Sequence, residues 1–176
     1  MDLKNWCKIL IFSFVLLANI KGQQEQVLCI SPEFQQEVSS YLSFDVPVIS
    51  IAEAFADKSF YTFLDAREKS EFEVSHIENA VYIGYDDFDL KTVEHLDKSK
   101  PIIIYCSIGY RSEKIGEKLQ KAGFRNVQNL YGSIFEWVNQ HHPIYDSNNK
   151  ETKQIHTYNK KWSKWVQADD VEKIWK

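Results

Sequence analysis

The sequence predicts an α/β fold with an open, mostly parallel five-stranded sheet and helices on both faces. Short apolar, β-prone runs alternate with helical patterns through the middle of the chain, as in a parallel sheet covered by helices. The clearest strand pattern, Ile102 to Tyr105, has no strongly polar position, which is typical of a strand buried on both faces. The clearest helix pattern, 112–122, places Ile115 and Leu119 on one face, and Gly123 follows it as a stop signal.

The other elements follow from the same signals. Pro32 stands in the first turn of a predicted helix, where its missing N–H costs nothing. The predicted strands are 46–50, 60–64, 80–83, 102–105 and 127–130. The predicted helices are 32–42, 51–56, 69–74, 112–122 and 132–140, with a further helix around 90–96.

The first 22 residues have the pattern of a secretory signal peptide. Lys4 and Lys8 precede a short apolar run, Ile9 to Ala18, which falls below the ~20 residues that a membrane-spanning helix needs. We therefore expect an exported protein, periplasmic or extracellular, with an uncleaved membrane anchor as the alternative. Residues 23–45 are interpreted as a tether and a helix, and 46–146 as the α/β domain.

The tail, 147–176, is interpreted as a linker followed by an amphipathic helix. Tyr158, Trp162, Trp165 and Val166 follow helical spacing, with lysines on the opposite side. Such an aromatic stripe either packs back on the domain or binds a partner or a membrane surface. Acidic residues in the same segment count against a stable membrane partner.

Composition excludes several classes of protein. The formal net charge of −4 argues against nucleic acid as a partner, because phosphate binding requires a basic face. A hydrophobic content of 44% with 26% charged residues excludes wholesale disorder. Three cysteines are too few for a disulfide scaffold. Cys29 falls in the tether, and we expect no disulfide between it and Cys106.

The reactive groups follow two predicted strands. Ligands of open parallel sheets bind beyond the carboxyl ends of the strands, where Cys106 follows one strand and Asp65 and Arg67 follow another. After Cys106 come a tight turn at Gly109, the cation Arg111 and a helix, so loop amides and positive charge are expected to lower the thiol pKa. A buried, inert cysteine is the alternative. The predicted substrate-binding residues are Ser107, Ile108, Gly109, Tyr110, Arg111 and Ser112.

From about Val48 to Asp146 the sequence resembles a single-domain rhodanese, a sulfurtransferase. Three motifs carry this resemblance in order. They are the segment FLDAR (63–67) with Glu71-Phe72 and HIENA (76–80), the loop CSIGYRS (106–112), and LYGSIFEW (130–137). Glu78-Asn79 and Ser133 depart from the Pro-Gly and Gly that are common in the family at these positions.

The resemblance implies a thiosulfate sulfurtransferase that carries sulfur as a Cys106 persulfide. The implied donor is a small anion held by Arg111, and the acceptor is cyanide, a thiol or a sulfur-accepting protein. Asp65 and Arg67 are expected to support neighbouring loops through an ion pair. No metal and no organic cofactor is implied.

Two alternatives stay open at this point. One is a sulfur-relay or interaction module that keeps the fold. The other is an arsenate reductase or phosphatase, whose loops resemble C-x5-R; the C-x4-R spacing from Cys106 to Arg111 favours sulfur transfer, because a tetrahedral phosphate needs a wider loop.

Overall fold

A five-stranded parallel sheet forms the centre of the computed structural model, which describes residues 27–175. Its order is β1-β5-β4-β2-β3, and β4, whose four residues are all buried, pairs with β2 and β5. The predicted fold class is confirmed. The strands are β1 (Val48–Ile49), β2 (Thr62–Asp65), β3 (Val81–Tyr82), β4 (Ile102–Tyr105) and β5 (Val127–Leu130).

Helices cover both faces of this sheet. Successive side chains of β4 point to opposite faces, so Ile103 and Tyr105 join one apolar cluster while Ile102 and Ile104 join the other. The first cluster includes residues of α1, α2 and α5, and the second includes residues of α4. The helices are α1 (Pro32–Tyr41), α2 (Ile51–Ala56), α3 (Lys69–Val74), α4 (Tyr110–Lys121) and α5 (Ser133–Asn139).

The helix predicted around 90–96 is wrong: only a 3₁₀ turn, Leu90–Thr92, forms there. Val93 and Leu96 pack into the second apolar cluster, and the Leu96 amide donates to the Val93 carbonyl at 3.0 Å. A spacing of three residues suits consecutive tight turns better than an α-helix.

The amphipathic helix predicted in the tail is also wrong. A short antiparallel pair, β6 (Ile144–Tyr145) with β7 (Glu151–Thr152), precedes a parallel pair, β8 (Gln154–His156) with β9 (Glu172–Ile174). Between β8 and β9 lies a 3₁₀ turn, Trp162–Trp165. The helical pattern fails because Tyr158 adopts a positive φ of 62° and because strand pairing occupies the neighbouring backbone.

The aromatic side chains of the tail pack back on the domain, as one of the two interpretations of the sequence predicted. Trp165 stacks on Phe34 of α1 with ring centroids 5.5 Å apart, and Val166 is fully buried. Asn139 of α5 holds the adjoining backbone, since its carboxamide oxygen accepts from the amides of Gln167 and Ala168.

The described part of the predicted tether, from residue 27 onward, is held against the domain by buried contacts. Cys29 is buried beside Glu136, whose carboxylate accepts the Ile30 amide at 2.7 Å. Burial raises the pKa of the Cys29 thiol strongly, and the neighbouring Glu136 carboxylate adds to this, so the thiol stays protonated. Cys29 and Cys106 are both free thiols. Within 27–175 no helix is long and apolar enough to cross a bilayer, and the predicted signal peptide, 1–22, lies outside the described residues.

Candidate active site

Cys106 directly follows the central strand. The parallel register pairs Tyr105, the last residue of β4, with Asp65, the last residue of β2, and the Ala66 amide donates to the Tyr105 carbonyl at 2.9 Å. The two segments that the sequence singled out therefore leave the sheet side by side at its carboxyl edge, where ligands of such sheets bind.

A tight loop turns from Cys106 into α4. Gly109, the residue before the helix, has a φ of 128°, a conformation that side chains with a Cβ rarely adopt. This conformation aims the Gly109 amide at the Cys106 Sγ, 3.2 Å away. The loop therefore presents a backbone donor to the sulfur at the start of a helix, as the sequence predicted.

Side chains from β5 and α5 hold the loop in place. The Asn129 amide group donates to the Gly109 carbonyl at 2.9 Å, and the Ser112 hydroxyl bonds to the Asn129 carboxamide oxygen at 2.7 Å. The Ser133 hydroxyl accepts the Cys106 amide at 3.1 Å. Sequence reasoning missed Asn129 and Ser133, and the one available signal was that Ser133 stands where the family commonly has glycine.

The environment of Cys106 favours its thiolate. Burial is the largest influence and raises the thiol pKa, but it is outweighed by the charge of Arg111 and by hydrogen-bonding groups of Ser112 and Gly109. The net result is a Cys106 pKa below its ordinary value. The contrast with Cys29, whose neighbour is a carboxylate, shows that the local charge separates the two thiols.

Arg111 is held in place by an acidic partner. Its two terminal nitrogens donate to the Glu71 carboxylate at 2.6 and 2.9 Å, and one of them also donates to the Ser107 hydroxyl at 2.9 Å. Burial raises the Glu71 pKa, but the hydrogen bonds and charge of Arg111 outweigh it, so the pKa lies below its ordinary value. Arg111 thus acts on the Cys106 thiol through its positive charge, as predicted. The Glu71 carboxylate compensates much of that charge. Sequence reasoning used Glu71 as a motif residue and missed this role.

Asp65 and Arg67 form a fully buried ion pair. Their closest nitrogen–oxygen distance is 2.6 Å and both side chains are 0% exposed. Arg67 also donates to the Ser75 carbonyl, which ties the segment after β2 to the end of α3. The pair therefore supports neighbouring segments, as predicted for these two residues.

A cavity of about 600 Å³ opens onto the loop. Of the predicted loop residues, Cys106, Ser107, Ile108, Tyr110 and Arg111 line it. Gly109 and Ser112 are not among the lining residues, and the Ser112 hydroxyl lies within hydrogen-bond distance of the Gly109 carbonyl and the Asn129 carboxamide oxygen. Neither Asp65 nor Arg67 is among the lining residues. The remaining lining residues come from other segments: Tyr41, Glu68, Tyr85, Asp86, Tyr158 and Trp162.

The fold and the site together define a protein that can carry a group on a cysteine at the end of a parallel strand. The family described as "Rhodanese-like domain" matches residues 50–140. The chain belongs to this family.

Relatives of two kinds share the domain. The thiosulfate sulfurtransferase GlpE of Coxiella burnetii is 33% identical over 84 residues, which cover 48% of this chain and 77% of that protein. The tRNA uridine(34) hydroxylase of Pectobacterium carotovorum is 38% identical over 92 residues. This second match covers 49% of this chain but only 26% of the hydroxylase.

Solved structures agree on the fold. The BH2092 protein from Bacillus halodurans superposes with a TM-score of 0.54 at 23% identity, covering 64% of this chain and 85% of that chain. A thiosulfate sulfurtransferase from Pseudomonas aeruginosa gives 0.52 at 18% identity, covering 66% of this chain and 23% of that chain.

Proposed function

We propose that this protein is a sulfurtransferase that moves a sulfane sulfur from thiosulfate to a thiophilic acceptor through a Cys106 persulfide. The observation that carries the proposal is the Gly109 amide at 3.2 Å from the Cys106 Sγ, beside Arg111. A sulfur nucleophile with a lowered pKa and an adjacent backbone donor suits covalent catalysis in two steps.

In the first step the Cys106 thiolate attacks the outer sulfur of thiosulfate. A new S–S bond forms, the S–S bond of the donor breaks, and sulfite leaves with the bonding electron pair. Arg111 and the loop amide offset the negative charge near the sulfur. In the second step the acceptor attacks the outer sulfur of the persulfide, and Cys106 leaves as a thiolate.

The intact mass of the purified protein after incubation with thiosulfate tests this proposal. We expect a gain of one sulfur atom, its removal by cyanide as thiocyanate, and no gain in Cys106→Ser. Cys29→Ser, which alters the other described cysteine, is the control and should gain the sulfur. If the protein gains no sulfur, or gains it at Cys29, the proposal is wrong.

Two rival functions make different predictions, one in the same mass assay and one in assays of phosphate-ester hydrolysis and arsenate reduction. An interaction module would carry no transferable sulfur. A phosphatase or arsenate reductase would hydrolyse a phosphate ester or reduce arsenate faster than it transfers sulfur. The spacing of four residues between Cys106 and Arg111 supports sulfur transfer over phosphate or arsenate chemistry, and the retained cysteine in a complete loop counts against an inactive interaction module.

We also propose that the protein is exported, on the basis of the basic start and short apolar run in 1–22. Cell fractionation with an antibody against the tail tests this. An exported protein is recovered outside the cytoplasm and shortened by its signal peptide, whereas full-length protein in the cytoplasm contradicts the proposal.

A further inference from the structure

The cavity beside Cys106 has an aromatic wall, which we define as Tyr41, Tyr158 and Trp162. Tyr41 and Trp162 meet edge to face with ring centroids 5.5 Å apart, and the Tyr158 ring lies 5.3 Å from the Arg111 guanidinium. Tyr41 ends α1 and the other two belong to the tail, so all three lie outside the residues 50–140 that match the family. This wall is therefore a feature that the family match does not explain.

The cavity is larger than the reaction with thiosulfate and cyanide requires. These two reagents contain only a few heavy atoms, whereas cavities of ~300–1,000 Å³ commonly enclose organic molecules. At about 600 Å³ the cavity has room for an organic group next to the sulfur of Cys106. Aromatic walls favour flat or apolar groups, because stacking and burial of apolar area both stabilise the contact.

Two acidic side chains that line the cavity disfavour a carboxylate on the acceptor, whereas the small donor anion is met at the sulfur by the Gly109 amide and the charge of Arg111. Arg111 is already bound by Glu71 in a two-pronged ion pair. Glu68 lies 3.8 Å from Arg111 and lines the cavity together with the exposed Asp86. These two acidic side chains would repel a carboxylate on the acceptor, while they would not repel a neutral or cationic group.

We propose that the acceptor of the second step is a small organic thiol that carries an aromatic or other apolar group, bears no negative charge apart from its reacting thiolate, and binds against the aromatic wall. The proposal rests on the sulfurtransferase function proposed above. The acceptor thiolate attacks the outer sulfur of the Cys106 persulfide, a new S–S bond forms on the acceptor, and the S–S bond at Cys106 breaks. Cys106 is released as a thiolate, so the step needs no oxidant and no reductant.

Single-turnover transfer from the preformed persulfide tests this inference. The full-length protein is loaded with thiosulfate, freed of excess donor, checked by intact mass, and mixed with 2-phenylethanethiol or with 3-mercaptopropionate at equal thiolate concentration. We expect the aromatic, uncharged thiol to remove the sulfur about tenfold faster than the anionic one. Equal rates, or a faster rate for the anionic thiol, overturn the proposal.

Substitutions in the aromatic wall test whether the wall causes the faster transfer to the uncharged aromatic thiol. In Tyr158→Ala and in Trp162→Ala the ratio of the two rates should fall towards one, whereas Trp175→Ala, an exposed tryptophan that does not line the cavity, should keep it. Tyr158 is 51% exposed, so we expect its replacement to leave the packing of the core unchanged. An unchanged ratio in both wall variants overturns the assignment.

The same assay separates the two proposals. If no persulfide forms with thiosulfate, the proposed function itself fails. If the persulfide forms and cyanide discharges it, but the two thiols react alike, only the acceptor inference fails.

Discussion

Arg111 and Glu71 lie 40 residues apart in sequence, yet they form a two-pronged ion pair in the site of Cys106, with nitrogen–oxygen distances of 2.6 and 2.9 Å. The Glu71 side chain is 2% exposed and that of Arg111 is 13% exposed. Glu71 thus fixes the position of the cation that favours the Cys106 thiolate.

Glu71→Gln should destabilise the protein, because it removes the close carboxylate partner of the largely buried Arg111 and leaves only the half-exposed Glu68, 3.8 Å away, as a counter-charge. We expect a loss of about 3–5 kcal/mol in the free energy of unfolding, measured by urea denaturation. Glu73→Gln on the same helix is the matched control. Its ion pair with Lys69 is exposed, so the expected change is within about 0.5 kcal/mol. Equal effects of the two substitutions would contradict the proposed role of Glu71.

The rate of persulfide formation should fall as the pH falls through the pKa of Cys106. That pKa lies below the ordinary thiol value of ~8.5. The thiolate is the reactive form, so protonation removes the nucleophile. Arg111→Gln removes the charge that lowers this pKa, so the midpoint of the single-turnover pH profile should move to higher pH. A wild-type midpoint at or above the ordinary value would contradict the prediction.

Gly109→Ala should impair sulfur transfer as well as stability. A Cβ at Gly109 would meet Leu42 at 3.4 Å, an ordinary contact, so the cost comes from the φ of 128°. Relaxing that strain of about 1–3 kcal/mol would move the amide away from the Cys106 Sγ.

Gly123→Ala is the matched control for this substitution. Gly123 also has a positive φ, 94°, but it follows α4 at the far end from Cys106. The Gly123→Ala variant should lose about as much stability as the Gly109→Ala variant but should form the persulfide at the wild-type rate. Persulfide formation that falls equally in both variants would mean that strain alone explains the loss at Gly109.

Ser133→Ala should cost about 1–3 kcal/mol in urea denaturation, because the buried Cys106 amide loses its acceptor. Ser133 has a φ of 52°, so Ser133→Gly loses the same acceptor but relieves backbone strain. We therefore expect the glycine variant to be more stable than the alanine variant. The opposite order would show that the backbone at this position is not strained.

Asp65→Asn should reduce stability by about 3–5 kcal/mol, because Arg67 is left as a fully buried, unpaired charge. Since neither residue lines the cavity, the KM for thiosulfate should stay near the wild-type value at a temperature where the variant is folded. A raised KM without a loss of stability would instead indicate that the pair takes part in binding.

The sequence by itself determined the sheet, the order of the site segments and the position of Cys106 at the end of the central strand. The buried strand Ile102–Tyr105, the glycine turn after Cys106 and the helix that follows are local patterns, and local patterns depend on residues only a few positions apart. The buried pair of Asp65 and Arg67 was predictable for the same reason, since the two residues are separated by one position.

Only the tertiary structure decided what surrounds Cys106. The pairing of Arg111 with Glu71 and of Ser133 with the Cys106 amide joins residues 40 and 27 positions apart, and no local periodicity contains such contacts. In the tail, Tyr158 and Trp162 have helical spacing, but strand β8 pairs with β9 instead. Both rings line the cavity, where Trp162 packs on Tyr41 of α1 and Tyr158 lies against Arg111. Strand pairing and burial against a distant surface outweigh the weak helical preference of a short segment.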